Sequence, residues 1–215
     1  MNAKNIIRII LGIAALVLGY FLFESIMKPQ RFETLRSRKE AEIVNRLKDI
    51  RTAQIAFRNV HGRFTGSFDT LVMFLEHGKM PTVRRTGEIP EEMTESEALR
   101  LGIIRRDTIF SDAYAVLFPN HDKETHLAGL RFIPFSGRTI EFTIDAGFIE
   151  RGGAHAGATI SVPVIEVSAH LKDYMTEPEY KQLVVNAIQR AKDMNRFPGR
   201  RFGSMLEPIT EGNWE

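Results

Sequence analysis

Residues 9–23 read IILGIAALVLGYFLF, fifteen positions without one charged side chain. No other stretch of the chain limits the possible folds as strongly. With Ile6 and Ile7 added, the apolar stretch to Phe23 covers 18 residues and is interrupted only by Arg8. At a helical rise of about 1.5 Å per residue it spans roughly 27 Å. A bilayer's hydrocarbon core is about 30 Å thick. Arg8 has the reach to snorkel to one headgroup layer, and Tyr20 and Phe23 suit the opposite interface. Three structures satisfy such a segment: a membrane anchor, a cleaved signal sequence, and a buried helix of a soluble core. Lys4 and Arg8 resemble the positive start of a signal sequence, yet Glu24-Ser25-Ile26-Met27-Lys28-Pro29-Gln30 offers no small-x-small cleavage pair. The segment is therefore read as an uncleaved anchor over residues 1–29.

The rest has ordinary globular composition and length for one domain, read as residues 30–197 with a C-terminal tail over 198–215. Lys and Arg number 29 against 27 Asp and Glu, a net charge of +2, so there is no polybasic surface of the kind nucleic-acid binding favours. The chain has no cysteine, which excludes disulfides, thiolate zinc sites and cysteine nucleophiles.

Pro29 is expected to kink or break the chain just beyond the membrane. From about Phe32 to Val60 the apolar positions Leu35, Ile43, Val44, Leu47, Ile50, Ala53, Phe57 and Val60 recur every three or four residues, predicting a long amphipathic helix closed by Gly62. Ser67 or Asp69 is placed to cap a short helix containing Leu71, Val72, Phe74 and Leu75. Short strands are predicted at residues 82–85 and 103–108, with a short helix at 94–99 between them. Residues 130–134 and 139–144 flank Ser136-Gly137 and read as a hairpin, with Ile140, Phe142 and Ile144 on one face. Residues 146–150 extend it. Residues 160–167 form another strand, which Pro163 assigns to an edge or bulge. A C-terminal helix follows, with Pro178 in its first turn and Leu183, Val184, Ala187, Ile188 and Ala191 as its buried stripe. The tail, punctuated by Pro and Gly, is expected to wrap the surface or move freely. The fold class is α+β: an N-terminal transmembrane helix continuing into an amphipathic helix, packed on a small antiparallel sheet.

Leu47-Lys48-Asp49-Ile50-Arg51-Thr52-Ala53-Gln54-Ile55-Ala56-Phe57-Arg58, followed by His61-Gly62-Arg63-Phe64-Thr65, resembles the pattern of type IV pilins and type II secretion pseudopilins. In those proteins the second half of the N-terminal helix often reads L-x-x-I-x-x-A-Q-x-A-[YF], and a G-x-[YF] turn follows. The resemblance covers about residues 6–75. It implies a non-catalytic structural or assembly component of a bacterial cell-envelope machine, such as one for protein secretion. It also implies an inner-membrane anchor and a periplasmic domain, although a literal count of positive residues would keep the domain inside. The prepilin peptidase motif is missing: Gly12 is followed by Ile13, and no acidic residue occurs before Glu24. The expected partners are the bilayer and, through the anchor helix, other envelope proteins or a second copy. Gly12, Ala15 and Gly19 offer a small-residue face for such contact. A tethered periplasmic scaffold, holding a partner on the sheet or on residues 109–128, is the alternative.

No catalytic, cofactor or metal residue is assigned. His121-Asp122 with His126 supplies two imidazoles and a carboxylate, but nothing in the sequence fixes their geometry and a solvated loop is preferred. The remaining histidines are His61, His77, His155 and His170. Gly152-Gly153-Ala154-His155-Ala156-Gly157 lacks the Lys-Ser/Thr of a phosphate-binding loop and reads as a flexible hairpin connection. Ser161 and Ser168 have no nucleophile-elbow context. The pairs Glu91-Glu92 and Glu95-Glu97 read as solvated charge. Arg196, Arg200 and Arg201 read the same way, with anionic headgroups or an acidic partner as the other option. Phe57, Phe64, Phe68 and Phe74 are expected in the core. Neither nucleic acid nor a small-molecule substrate is implied.

Overall fold

The computed structural model describes residues 3–87, 93–152 and 159–215. The fold is α+β, with a long N-terminal helix, a small antiparallel sheet and a C-terminal helix. Helix α1 runs without interruption over Ala3–His61. Pro29 lies inside it, where a kink or break was expected. Lys28, Pro29 and Gln30 are all exposed. Proline there costs one backbone hydrogen bond and leaves the Ser25 carbonyl without its N–H partner. In a helix turn open on all sides that carbonyl finds solvent, so the helix continues.

Two compact units divide the chain. One gathers residues up to Asn45 with Ile133–Ile140 and Ala169–Arg200; the other gathers Arg46–Phe132, Glu141–Ser168 and Arg201–Glu215. The first unit contains α6 (Leu171–Tyr174), a 3₁₀ turn at Pro178–Tyr180 and α7 (Lys181–Asp193). Val184 of α7 is buried, and Leu183, Ala187, Ile188 and Ala191 are half-buried, so the predicted stripe holds. Phe32 of α1 packs its ring 5.7 Å from that of Tyr180. Beside it Glu40 is buried under three donors: Arg36 Nε at 2.8 Å, the Tyr174 hydroxyl at 3.0 Å and the Arg200 guanidinium. Burial works against the Glu40 carboxylate, but Arg36 and Arg200 outweigh it and hold its pKa below the ordinary range. Lys39, also buried, donates to the Tyr174 carbonyl at 2.7 Å and to Glu177.

The second unit is built on residues 46–61 of α1. Leu47, Ile50 and Ala53 are fully buried, and Phe57 nearly so. Each large apolar side chain buried in this way stabilises by about 1.5–3 kcal/mol. Gly62 adopts φ +73° and donates its N–H to the Arg58 carbonyl at 2.7 Å, ending α1 in the left-handed cap that glycine allows. Val60 is the outlier of the predicted stripe and stays 38% exposed. Helix α2 (Phe68–His77) is capped by Ser67, whose hydroxyl accepts from Thr70 N–H. Its Phe74 meets Phe57 edge-on at 5.3 Å.

Strands β1 (Lys79–Thr86) and β2 (Arg105–Asp112) pair antiparallel, Lys79 opposite Asp112, with α3 (Glu95–Arg100) between them in sequence. Helices α4 (Ala113–Leu117) and α5 (Lys123–Leu130) follow. A second sheet has the order β3-β4-β5, with β3 (Thr143–Gly152) antiparallel to β4 (Thr159–His170). Strand β5 is Gly199–Ser204.

Three expectations need correction here. The predicted hairpin around Ser136-Gly137 is reduced to a single bridge, Phe132 opposite Glu141. Its turn is too contorted to extend the ladder, with positive φ at Phe135, Gly137 and Arg138. The alternation survives: Phe142 is buried and Ile144 half-buried, while Glu141 and Thr143 are exposed. Only from Thr143 onward does the segment join a ladder, as β3 against β4; before it, the Ile140 carbonyl accepts from Ile133 N–H and Phe142 N–H donates to the Arg131 carbonyl. Strand β4 itself lies in the middle of the sheet, not at an edge. Glycines 199 and 203 of β5 approach Ala169 and Ile165, so β5 covers only the far end of β4. Pro163 sits beyond that cover, where its missing N–H costs no ladder bond on the β5 side. Finally, the tail does not merely wrap the surface. Its β5 is part of the sheet, Phe202 is 1% exposed, and Gly203 adopts φ +77° against the Ile165 carbonyl.

Candidate functional site

One helix is long and apolar enough to cross a membrane, and it is α1. Its most apolar 18-residue window has mean hydropathy 2.1 and is entirely unburied. Leu11, Leu16, Leu18, Phe21 and Leu22 are all more than 60% exposed. This pattern is compatible with a membrane anchor: the side chains are apolar around the whole circumference and no protein surface covers them. It removes the third sequence reading, a helix buried in a soluble core. Gly12 and Gly19 have open space where a Cβ would stand.

The second feature is polar and lies in the second unit. His126 projects from α5 and is 8% exposed. Its Nδ1 lies 3.1 Å from the Tyr114 hydroxyl, and its Nε2 lies 3.3 Å from Asp49 Oδ2 on α1. The His121 ring lies 4.7 Å from that of His126, centroid to centroid, and is exposed. One ligand atom from each of Asp49, His121 and His126 falls within 4.8 Å of the other two. The sequence cluster set Asp122 beside His121 and His126; the carboxylate near both rings in the structure is that of Asp49. Asp122 caps α5, accepting the Thr125 N–H at 3.0 Å, and this lowers its pKa. Asp49, 73 positions earlier in sequence, takes its place. In sequence it sits between Lys48 and Ile50, beside the apolar stripe of α1, and looks like one of the helix's ordinary surface charges. Burial, together with the Asp122 and Asp49 carboxylates, pushes Tyr114 above the ordinary tyrosine range, so it remains a neutral phenol near pH 7.

The other candidates settle into structural tasks. Glu97 accepts from Thr94 N–H and Oγ1 in a capping box at the start of α3, so it is not simply solvated. Glu91 and Glu92 lie outside the described residues, as does residue range 153–158 of the glycine-rich run, which includes His155. His61 stacks on Phe57 at 4.3 Å, His77 is exposed, and His170 caps α6. Ser161 is exposed and Ser168 buried. Of the three basic residues near the C-terminus, Arg200 binds Glu40 and Arg201 binds Glu166 at 3.4 Å, so two are held in internal ion pairs. Phe57, Phe64, Phe68 and Phe74 are all buried, as expected.

Gln54 was quoted in the sequence motif without a role. It is fully buried. Its amide donates to the Thr65 carbonyl at 2.7 Å and accepts the Thr65 N–H at 3.1 Å. Both backbone groups of Thr65 are satisfied by one side chain, which ties the turn after α1 back to the helix.

No protein-family model, curated protein or solved structure matches this chain.

Proposed function

We propose that this chain is a non-catalytic single-pass membrane protein serving as a structural or assembly component of a bacterial cell-envelope machine, built like a pilin or pseudopilin. One observation carries the reading. A single helix is apolar and uncovered over residues 10–23, then buried at Ile43, Leu47, Ile50, Ala53 and Phe57. The Gln54–Thr65 clamp supports it, because it gives the A-Q and G-x-[YF] elements of the resemblance one physical purpose. In this reading the anchor sits in the inner membrane and the domain in the periplasm. Association runs through the helix face of Gly12, Ala15 and Gly19, where small residues let helices approach closely.

The absence of native cysteine makes the test clean. Ala15→Cys, oxidised in native membranes, is expected to give a disulfide-linked dimer or a crosslink to another envelope protein carrying a matched cysteine. Monomer alone at Ala15 and at both neighbouring helix faces contradicts an assembly role through the anchor.

A tethered scaffold is the second reading, favoured by Phe110 at 67% and Ile109 at 40% exposure on β2. Under it, Phe110→Ser abolishes capture of the partner in membranes while crosslinking at Ala15 is absent.

A further inference from the structure

We propose that Asp49, His121 and His126 form a binding site for one late first-row divalent cation, zinc foremost. The site lies beside α1 and is independent of the assembly reading. Two imidazoles and one carboxylate, without thiolate, are a ligand set for zinc and its neighbours in the series, whereas calcium and magnesium require an oxygen cage. The spacing fits. Ligand atoms bound at about 2.0–2.1 Å in a tetrahedron stand about 3.3–3.4 Å apart. His126 Nε2 and Asp49 Oδ2 are already 3.3 Å apart. His121 is within 4.8 Å of both and exposed, so rotation of its side chain closes the remaining distance.

The surroundings also fit a ligand. A metal-bound histidine is normally oriented by a partner on its other nitrogen. Here Nδ1 of the buried His126 has the Tyr114 hydroxyl at 3.1 Å. With Nδ1–H donating to that phenolic oxygen, Nε2 presents its lone pair towards Asp49. Asp122 is a second carboxylate near Tyr114, Lys123 lies over the Tyr114 ring at 5.8 Å, and the Arg46 guanidinium lies against Gly129 of α5. The three ligands come from α1, from the turn before α5, and from α5 itself, so the ion clips α5 to α1. Three protein ligands leave a fourth position, on the exposed His121 side, for water.

The test uses the full chain in detergent micelles, stripped with a chelator and titrated with zinc chloride by calorimetry. One ion per chain is expected, uncompeted by calcium or magnesium. His121→Ala removes an exposed ring and leaves the fold intact; it is expected to weaken zinc at least about tenfold, as is Asp49→Asn. Tyr114→Phe should weaken it about tenfold by loosening His126. His77→Ala, outside the cluster, should change nothing. Zinc X-ray absorption should give imidazole ligands at about 2.0–2.1 Å. Absence of stoichiometric binding, unchanged affinity in His121→Ala, or a spectrum without imidazole would each overturn the site and leave a plain Asp49–His126 hydrogen bond.

Discussion

The two halves of α1 obey the same backbone geometry and face different surroundings. Over residues 10–23 the helix is apolar on every side and every side chain is exposed. Over residues 43–57 it is apolar on one face only, and that face is sealed to zero exposure at Ile43, Leu47, Ile50 and Ala53. Pattern distinguishes the halves better than hydrophobicity does. An unbroken apolar circumference needs apolar surroundings on every side, as a bilayer offers, whereas a stripe can be satisfied by one packed protein surface. Polar residues mark the change. Glu40, Lys39 and Gln54 are all buried on the second half, and each is fully engaged by named partners.

The largest effects should separate the halves by substitution to alanine. Leu47→Ala should cost about 2–5 kcal/mol and Phe57→Ala about 3–5 kcal/mol in chemical unfolding of the detergent-solubilised chain. Leu16→Ala should leave that unfolding curve unmoved. The reverse experiment places one charge in the first half. Leu16→Arg should cost about 3–4 kcal/mol of membrane insertion, read as loss from the carbonate-resistant membrane fraction. A comparable effect from an arginine at the exposed Val60 would erase the distinction. Next in size is Gln54→Leu, which leaves the Thr65 N–H and carbonyl without partners. About 1–3 kcal/mol of destabilisation is expected by denaturant titration, with proteolytic nicking at residues 62–66 as its local sign.

Much of this contrast is readable in the sequence, and what is not readable has a physical reason. The α1 stripe, the Ser67 cap, the Gly62 terminator and the α7 face are all local, set by spacing of three or four residues or by one capping side chain. Long-range pairing is not local. Residues 139–144 are expected as a strand, but only Thr143 and Ile144 belong to β3; residues 140–142 bond back to 131–133 around a single bridge, because the turn between them is strained at Phe135 and Arg138. The tail hides β5 because Gly199 and Gly203 look like loop residues, while their lack of Cβ is what lets them lie against β4. At the polar cluster, His121 and His126 are five residues apart and legible, whereas Asp49 reaches them only through packing of α5 on α1.

Acid should then act on the second half and spare the first. Glu40 is held below its ordinary pKa by Arg36 and Arg200. A carboxylate with a depressed folded pKa contributes stability that is complete above its unfolded value and disappears as pH falls through the folded one. Midpoints of denaturant unfolding should therefore be flat near neutrality and drop below the ordinary carboxylate range. Glu40→Gln should flatten that acid limb. The smallest effect belongs to Val60→Ala, within about 0.5 kcal/mol, because its side chain never entered the core.

Spin labels on single cysteines along α1, in the chain reconstituted into bilayers, test the change of solvent most directly. At positions 11, 16, 18 and 22 the account predicts high accessibility to dissolved oxygen and low accessibility to a water-soluble nickel chelate. At positions 43, 47 and 50 it predicts low accessibility to both. Low accessibility to both reagents at positions 11–22 would mean that protein covers the first half, and high accessibility to the nickel chelate would place it in water. Either result would contradict a helix that passes from lipid into its own domain.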